Sequence, residues 1–277
     1  MQQPRLDSRS SFRFIGLALG LSALYWLAAT RAGPAFNRDL WGAVRGFIPA
    51  FAALITVLLE GGPGVLARIG VRIGRPRGPG YLYLLALAGP ALVVALALVG
   101  ASLAQTPDWS MGEVHPGRFI LFFFAMAFVD GPLGEELGWR GFLLPTLLRR
   151  MSPIKASLVV GVVWFLWHLP LYAADGIAFT AWFLAGYLIQ LLAVAIIYTW
   201  FFVRSGGSVL LAILLHDASN YFQFLASRLF PAMTQGGAVD NCYLAGVTVL
   251  GVMAALSLRR GVPAVEMGGA DPAGASA

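Results

Sequence analysis

Charge is scarce in this sequence. Only 12% of its 277 residues are Asp, Glu, Lys or Arg, where soluble domains usually carry about 25%. With 58% hydrophobic residues, the chain has too little polar surface to cover a water-facing globule. A soluble enzyme or binding module is therefore excluded, and a multi-pass membrane protein is expected. Cysteine is nearly absent too. Cys242 stands alone, which rules out intramolecular disulfides and cysteine-based zinc sites. No internal repeat and no soluble domain can be discerned. The net charge of +6 does not point to nucleic acid, because the arginines sit in short clusters between apolar runs, as topology determinants do.

What is present is a succession of long apolar runs. Runs of roughly 18 or more residues mark membrane spans, and eight are read at about 12–30, 41–60, 81–104, 118–147, 156–174, 180–203, 208–227 and 242–258. The expected fold is an all-α polytopic bundle forming a single transmembrane domain over 1–260. The stretch 261–277, rich in Ala, Gly and Pro, reads as a disordered cytoplasmic tail. Arg5, Arg9 and Arg13 ahead of an apolar run resemble a signal peptide, but with so many later spans an uncleaved first helix is expected. Gly131-Pro132 inside the fourth run predicts a kink. Gly64 to Arg77 reads as a basic interfacial helix.

The arginines set the orientation. With a cytoplasmic N-terminus, 13 of the 19 basic residues fall on the inner side, which puts both termini in the cytoplasm by the positive-inside rule. The preference for Arg over Lys and the abundance of Ala and Gly suggest a GC-rich genome and hence a bacterial plasma membrane.

Against this background the stretch GPLGEELGWRGFLLP, residues 131–145, stands out. A charged side chain at mid-bilayer costs on the order of 2.5–3.5 kcal/mol on insertion scales, so such groups usually face a cavity and mark function. Glu135 and Glu136 point about 100° apart on a helix, so they cannot share a task. Glu136 and Arg140 are i,i+4 neighbours in the favourable order and can pair, as a structural ion pair or as support for a site. Glu135 has no basic residue at that spacing and is the candidate free to face the bundle interior.

His168 and His216 are the histidines inside spans. Counted from the basic residue at the inner end of each helix, Glu136 and His168 lie roughly 20 Å deep and His216 roughly 18 Å deep. Three helices thus bring ionisable groups to one layer. Asn220 is one turn beyond His216 on the same face. A carboxylate, two imidazoles and an amide around a small wet cavity form a kit for hydrolysing an amide: Glu135 as general base, the histidines and Asn220 for proton transfer and the oxyanion. Asp130 and Asp217 flank this layer as helix-end or interhelical groups. Trp139, Trp164 and Trp167 read equally as packing and as substrate contacts.

Glu135-Glu136-x-x-Trp139-Arg140, Phe165-x-x-His168 and His216-x-x-x-Asn220, in that order, resemble the CPBP family of CAAX-protease and bacteriocin-processing intramembrane proteases, related to the type II CAAX prenyl endopeptidase. The resemblance covers about residues 118–225. It implies that Glu135 activates water, that His168, His216 and Asn220 complete the site, and that Glu136 pairs with Arg140. It also implies a membrane-associated peptide or protein substrate, cut near its C-terminus and prenylated in the eukaryotic relatives. The patterns of other intramembrane proteases, HExxH, Gly-x-Ser-Gly and Gly-x-Gly-Asp, are absent.

Two readings stand beside the protease. One is a bis-histidine haem protein, which leaves the Glu135, Glu136 and Arg140 cluster without a role. The other is a non-proteolytic transporter or bacteriocin-immunity protein that uses the polar layer as an ion path. On metal, Glu135, His168 and His216 could supply a His₂Glu zinc set, yet the i,i+4 histidine pair that pre-forms such sites is missing. A metal-free mechanism is the favoured expectation.

Overall fold

A computed structural model describes residues 8–33, 42, 44–60, 76–104, 106–112, 116–129, 131–235 and 237–260. Among them every regular element is helical. The chain runs through α1 (Ser8–Ala32), α2 (Ile48–Glu60), α3 (Gly80–Ala104), α4 (Pro116–Val129), α5 (Pro132–Gly138), a π-helical turn (Trp139–Leu143), α6 (Leu144–Leu148), α7 (Pro153–Ala174), α8 (Ala181–Arg204), α9 (Val209–Leu229), α10 (Pro231–Thr234) and α11 (Ala238–Arg259). Small hydroxyl residues start the long helices. Thr180 and Ser208 each accept the backbone N–H three residues on, both at 3.1 Å, which satisfies a donor the helix itself leaves open. Ser152 does the same ahead of Pro153, a residue suited to the first helical position.

Six helices are long and apolar enough to cross a membrane: α1, α3, α7, α8, α9 and α11. Exposed Leu24, Leu84, Leu92, Leu103, Trp182 and Val252 lie on the outer faces of four of them, as a polytopic helical bundle in lipid requires. The two remaining expected spans take another form. The run at 41–60 contributes α2, whose 13 residues extend only about 20 Å, less than the ~30 Å hydrocarbon thickness. The run at 118–147 is broken rather than kinked. Gly131 adopts φ 100°, a left-handed conformation that side chains resist, and Pro132 begins a new helix because it has no N–H with which to continue an old one. The basic stretch 64–75, the tail 261–277 and Asp130 lie outside the described residues.

The break has a packing reason. Gly131, Gly134 and Gly138 lie against Gly46, Phe47 and Pro49 at the start of α2, so closely that a Cβ on any of them would overlap atoms of the opposing segment or of Glu135. Small residues at such spacing let two membrane helices touch backbone to backbone. The short, acid-bearing α5 is therefore pinned inside the bundle, with lipid-facing helices around it.

Two apolar clusters surround it. The larger joins α1, α2, the π turn, α7, α8 and α9, with Phe14 against Trp139 at 5.6 Å and Trp139 against Trp167 at 5.9 Å between ring centroids. The smaller joins α3, α9, α10 and α11 through Val94, Ala101, Ala226, Met233 and Val247. Ser22 of α1 donates to the carbonyl of Trp167 at 2.6 Å, tying the first helix to the histidine-bearing one.

Candidate active site

α5 carries two carboxylates into the bundle, and its helical geometry sends them to different places. Glu135 is 5% exposed. Its Oε2 accepts the indole N–H of Trp164 at 2.6 Å and, at 3.4 Å, that of Trp139. Glu136 is completely buried and faces away from the cavity that Glu135 lines. Its Oε1 accepts from Arg140 Nη1 and from His216 Nδ1, each at 2.9 Å.

Arg140 sits between aromatic rings, its guanidinium carbon 4.8 Å from the centroid of Trp164 and 4.6 Å from that of Tyr198. Its Nε and Nη2 find no hydrogen-bond acceptor among the described residues. The two ring faces provide the compensating attraction, which is strongest when the cation is desolvated. Glu136, Arg140 and His216 thus form one buried unit: a carboxylate shared by a guanidinium and an imidazole, held in an aromatic sleeve. The π-helical turn begins at Trp139. Such local widening recurs at functional sites, and here it occurs where the chain must deliver both an indole and a guanidinium to the preceding turn.

The histidines are held through their Nδ1 atoms. His168 Nδ1 lies 2.9 Å from the carbonyl oxygen of Trp164. A carbonyl only accepts, so Nδ1 carries the proton and Nε2 is left to act outward. His216 Nδ1 likewise donates to Glu136, freeing its Nε2. A carboxylate or carbonyl behind an imidazole fixes its tautomer and ring orientation. Trp164 is central to this arrangement: its indole N–H reaches Glu135, its carbonyl holds His168, and its ring packs 5.4 Å from that of His216.

Glu135, His168, His216 and Asn220 all line one cavity of about 330 Å³. Tyr172 and Tyr187, whose hydroxyls are 3.1 Å apart, form part of its wall. The cavity also takes in Arg45, Gln190 and Gln223, which the sequence reading passed over. Trp139, at the i+4 position from Glu135, could have been recognised from helical spacing, and Arg45 from being an arginine inside a supposed span. Trp164, 29 residues from Glu135, left no such trace. Asp217 is buried next to His216 but is not part of the cavity wall.

Among the described residues no three His, Cys, Asp or Glu side chains are grouped to hold one metal ion. The zinc set considered from sequence, Glu135, His168 and His216, is thus not assembled in this arrangement.

Comparison with known proteins agrees with this geometry in position. Residues 117–222 match the family described as type II CAAX prenyl endopeptidase Rce1-like. A 97-residue segment is 36% identical to CAAX prenyl protease 2 of Methanococcus maripaludis. That segment takes in 33% of this chain and 36% of the relative. The matched region runs from α4 into α9 and contains all the acidic, histidine and asparagine groups just described. Over this segment, which spans about a third of the relative's length, the chain is similar to the Rce1-like type II CAAX prenyl endopeptidases.

Proposed function

We propose that the protein is an intramembrane endopeptidase that hydrolyses a peptide bond near the C-terminus of a membrane-associated substrate, with prenylated CAAX-type chains as the first class to try. The observation that carries this reading is the convergence of Glu135, His168, His216 and Asn220, from α5, α7 and α9, on one cavity inside an otherwise apolar bundle. Ionisable groups are placed in such surroundings only at a cost, and these four are the types that amide hydrolysis needs.

In the proposed reaction a water molecule attacks the scissile carbonyl while Glu135 takes its proton. The indole donors on Oε2 fix the carboxyl plane, leaving Oε1 for the water. The tetrahedral oxyanion is met by the amide N–H of Asn220 and by Nε2–H of His216, whose ring carries a proton on each nitrogen in this step because Nδ1–H already donates to Glu136. The C–N bond then breaks. The proton held by Glu135 passes to the departing amine, directly or by way of Nε2 of His168. No step requires a metal ion. The test is to incubate purified protein with a prenylated CAAX peptide, with and without exhaustive chelation, and follow the products by mass spectrometry. Loss of the last three residues, undiminished by chelator, is expected. An intact peptide would instead support the transporter or immunity reading, and chelator-sensitive cleavage restored by zinc would overturn the metal-free route.

Trp164→Phe isolates the indole contribution. The ring that packs against Arg140 and His216 is kept, and the 2.6 Å donor to Glu135 is lost. Hydrogen bonds to charged groups are worth about 1.5–3 kcal/mol. The kcat should therefore fall roughly ten- to hundredfold with little change in KM, and an unchanged kcat would remove the indole from the mechanism.

The orientation proposed is cytoplasmic termini with the cavity opening toward the opposite face. The cavity residues lie in the C-terminal half of α7, in the middle of α9, from the N-terminal part of α8 to just past its middle, and near the start of α11. Arg150, Lys155, Arg204 and Arg259 occupy the other ends of these helices or the connections beside them, where Arg204 bonds Ser257 at 3.1 Å. In a Cys242→Ser background, a membrane-impermeant maleimide should label an Ile177→Cys variant in intact cells and an Arg150→Cys variant only after permeabilisation. The reverse pattern would invert the proposed topology.

A further inference from the structure

The bundle holds two arginine–carboxylate pairs near the cavity, and they are built differently. Arg140 and Glu136 are fully sealed from solvent. Arg45, just ahead of α2, donates through Nη1 to Oδ2 of Asp175, the residue capping the C-terminus of α7. These two side chains are 28% and 29% exposed. Arg45 is also the one lysine or arginine among the described residues that line the cavity.

Its position relative to Glu135 is rigid. The next residue, Gly46, touches Gly131 backbone to backbone, and a Cβ placed on Gly131 would meet Oε1 of Glu135 at 2.6 Å. Gly131 in turn accepts the backbone N–H of Glu135 at 2.8 Å. The chain bearing the guanidinium is thus fastened to the turn bearing the candidate base, with no flexible segment between them.

A guanidinium presents a planar fork of donors that matches a carboxylate. A partly exposed ion pair is weak in net terms, and Asp175, once released, would return to water at little cost. The pair therefore has the properties of a carboxylate site occupied by an internal stand-in. We propose that Arg45 receives the free C-terminal carboxylate of the substrate in exchange for Asp175, and that its fixed separation from Glu135 sets how many residues from the chain end the cut is made. This rests on the peptidase reading above and adds to it a requirement for an unblocked C-terminus.

The experiment compares one peptide as its free acid and as its C-terminal amide, using the full-length protein in detergent. Wild type should favour the acid by about ten- to hundredfold in kcat/KM, mainly through KM, as expected for a charge-assisted contact. Arg45→Gln should bring acid and amide within about twofold, the loss falling mainly on the acid, and Arg45→Lys should retain part of the preference. Asp175→Asn, which removes the competing carboxylate, should lower KM for the acid. Affinity of the Glu135→Gln protein for both fluorescent peptides gives the same comparison without turnover. Equal handling of acid and amide by wild type would overturn the proposal. So would parallel losses on both peptides in Arg45→Gln and Asp175→Asn, since that is how a purely structural latch behaves. Cleavage of neither peptide by wild type would instead strike at the peptidase reading itself.

Discussion

Glu135→Gln should all but abolish peptide cleavage, with turnover down by about a hundredfold or more, while the protein inserts, purifies and melts as wild type does. General acid–base catalysis by a placed side chain contributes roughly 10²–10⁴, so removing the base removes most of the rate. The substitution is chosen for what it keeps. Glutamine has the volume of glutamate, and its amide oxygen can still accept the N–H groups of Trp164 and Trp139. The aromatic packing around α5 is then undisturbed, and stability should change by no more than about 1 kcal/mol, as isosteric replacement with its hydrogen bonds intact allows. A neutral amide, however, cannot take a proton from water. Residual activity above a few per cent of wild type would show that another group is the base, and His168, whose Nε2 is unencumbered by the Trp164 contact, would be the next candidate.

The second large effect concerns the sealed unit of Glu136, Arg140 and His216, where stability and activity should separate. Glu136→Gln strips the charge partner from a completely buried guanidinium and loosens the hold on His216 Nδ1. Breaking one side of a buried pair costs about 3–5 kcal/mol, which for a chain of this size is roughly a 6–20 °C fall in Tm. Activity should fall as well, because the imidazole no longer has a fixed orientation. Arg140→Met leaves the Glu136–His216 bond in place and puts an apolar side chain between Trp164 and Tyr198. It should lower Tm comparably but spare more of the activity. The double variant should be less destabilised than the sum of the two, since removing both charges leaves no orphan. Additive losses in Tm, measured by thermal denaturation in detergent, would mean that the charges are not coupled.

Much of this arrangement could be read from the residues alone. The apolar runs announced a helical membrane bundle because no soluble fold can hide so much hydrophobic surface, and six of the runs appear as full-length helices. The i,i+4 spacing brought Glu136 and Arg140 together on paper, since a helix enforces that contact whatever surrounds it. The depth of Glu136, His168 and His216 along their helices was likewise countable, because the rise per residue is constant. What escaped were contacts between elements distant in sequence. His216 meets Glu136 across 80 residues, and Trp164 meets Glu135 across 29. The interruption of the 118–147 run was signalled by Gly131-Pro132, but its degree was not, because it depends on how closely Gly46 and Pro49 approach from a helix read as a plain span.

The sequence by itself therefore determined the solvent this protein lives in, the helices it forms and which rare polar groups share a level in the membrane, because hydrophobicity and helical pitch are local properties of the chain. Only the tertiary structure decided which group serves which. Glu135 was given to the cavity and to two indoles, Glu136 was buried to hold His216, and Arg45 was set at the cavity wall facing Asp175. Those assignments follow from the angles and close approaches at which helices pack, and small residues on one helix set them only through the shape of its neighbour.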